Sequence, residues 1–345
     1  MTLAAFLAAM AFTTSSVSAA DLPKTHVKVI GVNSTLNQAK MLERPFWEEI
    51  IPTESNGQVT ADYISLTEVG IKGNEQLRLA KMGVLEFFSG NHALMAADDL
   101  MFDAADMIGV MPTIEDARKA MDAFRPVVAA HMEKFNVKLL MDWPNPSQVL
   151  YCKPKISGIA DLKGKKVRVS TKGASDLVGL AGGTPLTIMW AEVIPAAQRG
   201  TIDCGITGTL SGNTGNWWEV FDYIHPLALT WGMWFHAVNL DTWNRLDPSV
   251  QAFFEEQFAL EQERRWALAA EENQDGVNCN TGQGECKYGV QGSITLVPVT
   301  QADKDLLQSW VPTLSASWAK SCGADCVAEW NASMGKAIGM SLSAD

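Results

Sequence analysis

Between His26 and Asn91 the chain alternates strand and helix signals in a βαβαβ order, which limits the fold more than any other feature of the sequence. HVKVIGV (26–32) alternates apolar and polar residues, as a half-covered strand does, and runs into Asn33-Ser-Thr-Leu36, a turn and helix start. The same reading predicts a helix over 37–50, a strand over 58–64, a helix over 75–81 and a third strand over 83–88 that ends at Ser89-Gly-Asn91. Parallel neighbours need long crossovers, so this order calls for a mostly parallel sheet with helices on both faces. The ends of strands one and three, at Asn33 and Asn91, then open toward one cleft.

Helices are expected over 113–124 and 126–135 and a strand over 138–142, before Trp143-Pro-Asn-Pro146 breaks the pattern and marks a crossover. A second unit starts with a strand over 149–153. Within it, Lys166 to Ser170 sets Val167 and Val169 against Arg168 and Ser170, a short strand after the Gly164 turn. An apolar helix, a second helix over 191–198 and a strand over 204–207 follow, and 227–239 crosses back. The expected class is α/β, with two lobes that each hold a mixed, mostly parallel sheet flanked by helices. Lobe I takes 21–146 and 230–260; lobe II takes 147–229 and 261–345; the ligand cleft lies between them. Asp247-Pro-Ser-Val250 is a strong helix start, Asp as N-cap and Pro at the first position, and the chain stays helix-favouring to about residue 273. Such a helix would reach roughly 40 Å, longer than one lobe; a broken pair of ordinary helices is the competing reading.

With 47% hydrophobic residues in 345, the chain can bury a large core. Leu3 to Phe12 is an apolar run of signal-peptide length followed by small residues to Ala20, although no basic residue precedes Lys24. Cleavage is expected near residue 20, giving an exported protein, because a run this short does not span a bilayer. The net charge of −12 and pI near 4.9 leave no basic footprint for nucleic acid. Six cysteines in an exported chain point to disulfides. Cys279 with Cys286 and Cys322 with Cys326 are close in sequence, which leaves Cys152 and Cys204 to join two strands of one lobe; other pairings fit the same count. A zinc site would need a C-x2-C pair or nearby histidine ligands, and the sequence has neither.

Arg168 sits at the carboxyl end of its strand, the end where ligands collect in open α/β sheets, and its planar fork of donors matches a carboxylate. The competing role is a solvated strand residue. DLKGKKVRV followed by GGTPLTIMWAEVIPAAQRGTIDCGITG resembles the solute-binding proteins of tripartite ATP-independent periplasmic (TRAP) transporters, in the dicarboxylate-type branch, over nearly the whole mature chain. The resemblance implies a two-lobed binding protein in the periplasm, with a long helix across both lobes. It further implies small and large TRAP membrane subunits as partners, a small carboxylate as ligand and no cofactor. The family's ligand-holding arginine falls on Arg168 and its aromatic residue on Trp190. Where many members carry an asparagine that helps hold the carboxylate, this chain has Thr207.

Asn33 and Asn91 resemble positions that meet polar ligand atoms, with turn capping as the alternative. Thr207, Gly208 and Asn213 follow the 204–207 strand, where glycine permits close approach to a ligand. Tyr151 and Thr171 join the candidates by the same logic. Trp231 is the first choice among the remaining tryptophans, and Glu68 could receive an amine or hydroxyl, although an exposed loop carboxylate fits it too. The loss of the amide at Thr207 and the aromatic set around Trp190 and Trp231 favour a monocarboxylate with a sizeable apolar body over a small dicarboxylate. The rival classes are an enzyme, for which His92 with Glu68 is the best pair available, and an extracellular sensor domain. No H-E-x-x-H, G-x-S-x-G, P-loop or G-x-G-x-x-G occurs.

Overall fold

The structure is a computed structural model and describes residues 22–344. The expected leader, 1–20, therefore lies outside the described residues. The chain runs β1 (Thr25–Gly31), a helical stretch over 37–54 that closes in α1 (Ile51–Glu54), β2 (Val59–Ser65), α2 (Leu66–Val69), α3 (Gln76–Lys81) and β3 (Phe87–Asn91). Two 3-10 segments follow, His92–Met95 and Leu100–Asp106, then α4 (Ile114–Glu133) and β4 (Val137–Trp143). The second unit contains β5 (Gln148–Cys152), β6 (Lys166–Val169), α5 (Lys172–Leu180), β7 (Thr184–Thr187), α6 (Val193–Gln198), β8 (Cys204–Gly208), α7 (Thr209–Thr214) and β9 (Tyr223–Thr230). The chain then returns through β10 (Trp234–Asn239), α8 (Leu240–Arg245), α9 (Pro248–Thr281), β11 (Thr295–Leu296), α10 (Gln301–Cys322), α11 (Ala324–Trp330) and α12 (Lys336–Ile338).

Two mixed sheets result, ordered β2-β1-β3-β10-β4 and β11-β9-β5-β8-β6-β7. β1 runs parallel to β2 and β3, and β10 antiparallel to β3 and β4. In the second sheet β6 is parallel to β7 and β8, while β5 is antiparallel to β8 and β9. The central strands β3 and β8 are buried at every residue, as strands covered on both faces are. β7 had no strand signal, because Pro185 interrupts it; it lies at the sheet edge, where a missing N–H leaves no ladder bond unmade. The two helices expected over 113–135 are one, α4, with Pro126 inside it. Pro126 is on the exposed face, so the carbonyl it frees is open to water.

Four segments join the lobes, the last being α10 with the turn into α11. The crossovers 144–147 and 231–233 run side by side, with the Asn145 N–H donating to the Trp231 carbonyl at 2.9 Å. α9 is the third. Asp247 caps its start by accepting from the Ser249 N–H at 2.9 Å, and the helix continues eight residues past the expected end, to about 51 Å at the usual rise. Near its middle the Trp266 indole donates to the Asp142 carbonyl of β4; close to its C-terminus, Asn280 donates to the Thr209 carbonyl of α7. Gly276, which reads as a helix breaker, is what lets α9 lie on the backbone of α7: a Cβ there would sit 2.3 Å from the Leu210 nitrogen. Residues 261–345, expected beside the second sheet, divide. α10 packs against α5, whereas α11 and α12 pack on α4 beside the first sheet, where His131 meets Glu329 at 3.0 Å.

All three disulfides join the expected pairs, Cys152–Cys204, Cys279–Cys286 and Cys322–Cys326. Cys152 and Cys204 face each other directly across β5 and β8. Their bond closes the longest loop, 52 residues against seven and four. In a chain-entropy picture, its removal as Cys152→Ala/Cys204→Ala is expected to destabilise by up to about 4 kcal/mol, and Cys322→Ala/Cys326→Ala by about 2 kcal/mol or less. Denaturant unfolding of the two double variants measures the order, and a reversed order contradicts it.

Asp106 ties the returning crossover to the first lobe, accepting from the Thr230 hydroxyl and, at 2.8 Å, from the Gly232 N–H. With Asp103 it borders about 350 Å³ of unfilled space against α5 and α10. Burial pushes Asp106 up to about 6; burial and then the neighbouring Asp106 push Asp103 up to about 7. Groups raised in the folded state contribute stability that is full below the unfolded carboxylate value and is lost as pH rises through the folded one. Asp106→Asn keeps an oxygen for Gly232 and is expected to remove a loss on the order of 3 kcal/mol between about pH 4 and about pH 7.5. Unfolding free energies measured across that range should vary less with pH in the variant; an unchanged slope would show that Asp106 does not titrate there.

Candidate functional site

β6 is short and buried at Val167, Arg168 and Val169, so the arginine leaves the sheet into protein rather than solvent. Its Nε donates to the Ile188 carbonyl at 2.9 Å and its Nη1 to the Ile206 carbonyl of β8 at 3.0 Å. The guanidinium carbon lies 5.6 Å from the centre of the Trp217 ring. Among the described residues no carboxylate forms an ion pair with it, although only 4% of its surface is exposed. Burial alone lowers its pKa to about 10, which leaves the group charged at neutral pH. Two of its donors are satisfied by carbonyls, and no anion among the described residues balances its charge.

Trp217 organises the aromatic side of this site. It stacks on Trp190 with centroids 5.4 Å apart and planes 27° apart, and meets Tyr151 edge-on at 5.5 Å. Gly205 of β8 makes room for it, since a Cβ at that position would sit 2.8 Å from the indole. Arg168, Trp190 and Tyr151 are thus brought together through Trp217, a residue not among the candidates singled out from the sequence. Tyr151 is fully buried, and its hydroxyl donates to the Thr209 carbonyl at 2.7 Å and accepts from Asn280 at 3.1 Å, which holds α7 to α9. Asn213 is similarly engaged: both ends of its amide bond the backbone of Val290 at 2.7 Å.

Thr207 and Gly208 close β8 beside the Ile206 carbonyl that Arg168 holds, and the Thr207 hydroxyl makes no hydrogen bond among the described residues. Thr171 caps α5, its hydroxyl accepting from the Ala174 N–H at 3.3 Å. On the first lobe, the Asn33 carbonyl oxygen accepts from the Thr35 N–H and hydroxyl at 3.0 and 2.9 Å, and Glu68 accepts from the Ser65 N–H at 2.8 Å to cap α2. Both side chains therefore fill local capping roles. Trp231 is buried in the crossover, its indole donating to the Met111 carbonyl at 2.8 Å. Asn91 differs from these, because its side-chain oxygen is buried without a partner at the end of β3. His92, next to it, is fully buried with both ring nitrogens unpartnered, and burial lowers its pKa to about 3, so it is neutral. Among the described residues no group of three His, Cys, Asp or Glu side chains could hold a metal ion.

A second polar cluster went unread in the sequence. Leu36, Asn37, Gln38, Asn145, Ser211 and Glu272 line a small pocket, partly open to solvent, where the crossovers meet α9. Burial pushes Glu272 up to about 7, against the lowering effect of amide donors from Asn37 at 2.6 Å and Gln38 at 3.3 Å. Two of these groups are 235 residues apart, so no local signal could have joined them.

Residues 32–284, well over half of the chain, match the family described as bacterial extracellular solute-binding protein, family 7 (DctP). An uncharacterised Haemophilus influenzae protein is 23% identical over 258 residues, which cover 73% of this chain and 77% of that protein. The crystal structure of DctP7, a Bordetella pertussis extracytoplasmic solute receptor binding pyroglutamic acid, superposes with a TM-score of 0.79 at 21% identity, covering 89% of this chain and 98% of that one. A TRAP periplasmic solute-binding protein from Haemophilus influenzae with bound L-gulonate gives 0.78 at 20% identity, covering 91% and 100%. At these identities the likeness is one of fold. The family match over residues 32–284 establishes that this chain belongs to the bacterial extracellular solute-binding proteins, family 7.

Proposed function

We propose that this protein captures a small organic acid in the periplasm, through a contact between Arg168 and the ligand's carboxylate, and hands it to the small and large membrane subunits of a TRAP transporter. The observation that carries the reading is the buried Arg168 with no acidic partner among the described residues. A charge so desolvated is retained where a ligand completes it. Trp190 and Trp217 offer an apolar wall beside it, and Thr207 and Asn91 offer polar groups without partners. A ligand touching both lobes favours the closed state by its differential affinity, and the membrane subunits would then recognise that state. Export with cleavage near residue 20 is part of the same reading.

The wall of rings and the threonine at position 207 support a monocarboxylate with a sizeable body over a small dicarboxylate. Family-fold proteins with bound pyroglutamate, L-gulonate and orotic acid, each a monocarboxylate, support the same preference. A thermal-shift panel on ligand-free protein addresses it, since ligand at about a hundred times its dissociation constant stabilises by about 2.7 kcal/mol. Ring-bearing or branched monocarboxylates should raise the melting temperature; a response to succinate or malate alone would reverse the preference. With the acid that gives the largest shift, Arg168→Ala is expected to weaken binding by at least about 2 kcal/mol in calorimetry, because the carboxylate loses a charge-assisted pair. A loss of less than about threefold would make Arg168 a structural residue and remove the basis for the carboxylate contact.

A further inference from the structure

The polar cavity at the lobe junction holds more unused hydrogen-bonding capacity than a packing defect would. Gln38 is buried with its side-chain oxygen unpartnered. Asn145 is only 8% exposed, and among the described residues its side-chain amide makes no hydrogen bond; its backbone N–H alone is engaged, with Trp231. The Ser211 hydroxyl, in the first turn of α7, likewise donates to no protein group among the described residues. Glu272 accepts from two amides and has no cation in ion-pair range among the described residues. These groups come from both lobes, the crossover and α9, and they converge on unfilled space.

The cavity adjoins the arginine site. Arg168 holds the carbonyl of Ile206, two strand residues before Gly208, a span of about 7 Å. At Gly208 a Cβ would sit 2.8 Å from the Ser211 hydroxyl oxygen and 3.2 Å from the Pro146 carbonyl oxygen, both on cavity-lining residues. The distance from the carbonyl that Arg168 holds to the cavity rim is within the length of a small organic acid. With no cation present, a second carboxylate would meet the Glu272 carboxyl unscreened, and burial, which pushes Glu272 up to about 7, weakens its hold on an ammonium. The complement of an acceptor at Glu272 and donors at Asn145 and Ser211 is a neutral group that both donates and accepts, such as an amide or a hydroxyl.

We infer that the cavity formed by Gln38, Asn145, Ser211 and Glu272 is a specificity subsite for an uncharged amide or hydroxyl that the ligand carries besides its carboxylate. The inference rests on the carboxylate reading of Arg168, and it selects among acids by their neutral polar group rather than by their charge.

Pyroglutamate and cyclopentanecarboxylate test it, since both have a five-membered ring and one carboxylate but only the first has an amide. Calorimetry on the full mature chain is expected to find pyroglutamate bound at least about tenfold more tightly. Asn145→Ala and, separately, Ser211→Ala should reduce that ratio to about threefold or less, mainly through weaker pyroglutamate binding. Equal affinity for the two acids, no binding of pyroglutamate, or a ratio unchanged in both variants overturns the subsite. Arg168→Ala separates the two readings: it should weaken both acids alike. If it weakens neither while the ratio survives, the carboxylate contact fails and the subsite stands.

Discussion

Burying a guanidinium without a counter-ion is unfavourable, and much of the second lobe is arranged around that fact. Arg168 has few ways to lower its desolvation penalty: the Ile188 and Ile206 carbonyls take two of its donors, and the face of Trp217 offers a further weak attraction. None of these supplies a full negative charge. On the proposed reading a ligand would balance the guanidinium charge. Trp217 packs against β8 at Gly205, stacks on Trp190 and meets Tyr151 edge-on. The aromatic cluster supplies apolar burial that an arginine on β6 does not.

α9 imposes the second constraint. A helix of 34 residues bonded to Asp142 at one sheet and to Thr209 at the other cannot belong to one lobe only. Its contact with α7 is backbone against helix at Gly276, and Asn280 strengthens it by donating to Tyr151 and Thr209. Tyr151 and Asn213, read from the sequence as ligand candidates, are buried and bonded within the second lobe: Tyr151 joins α7 to α9, and Asn213 ties α7 to the segment at Val290.

How much of this was legible follows from the range of each interaction. Strand and helix order was readable because alternation and capping are local: Asp247 before Pro248, and the alternation of Thr25–Gly31, need only their neighbours. Prolines misled where exposure mattered more than position, at Pro126 on an open helix face and Pro185 on a sheet edge. The disulfide pairs were readable from count and proximity, with Cys152 and Cys204 left over to meet across two strands. Arg168 stood out through its place at the end of a strand together with the family resemblance, since a strand arginine alone is more often solvated. Trp217 did not, since nothing local separates a ring that supports a cation from one that fills a core. The Asn37, Gln38 and Glu272 cluster is assembled by the tertiary fold alone.

The position of that cluster bears on how the lobes can act on a ligand. Relative rotation of the two sheets must preserve the α9 contacts with β4 and α7 and the Asn145 to Trp231 bond, so the segments nearest those contacts move least. Gln38, Asn145 and Ser211 lie among them, whereas the space bordered by Asp103, Gly173 and Ser315 lies between elements that none of those three contacts joins. A polar subsite placed there, as proposed, would discriminate ligands before the lobes close, when a wrong acid is still free to leave. On the same reading Arg168, on β6 just before the N-terminus of α5, supplies the charge that draws a carboxylate in, and the junction selects among acids.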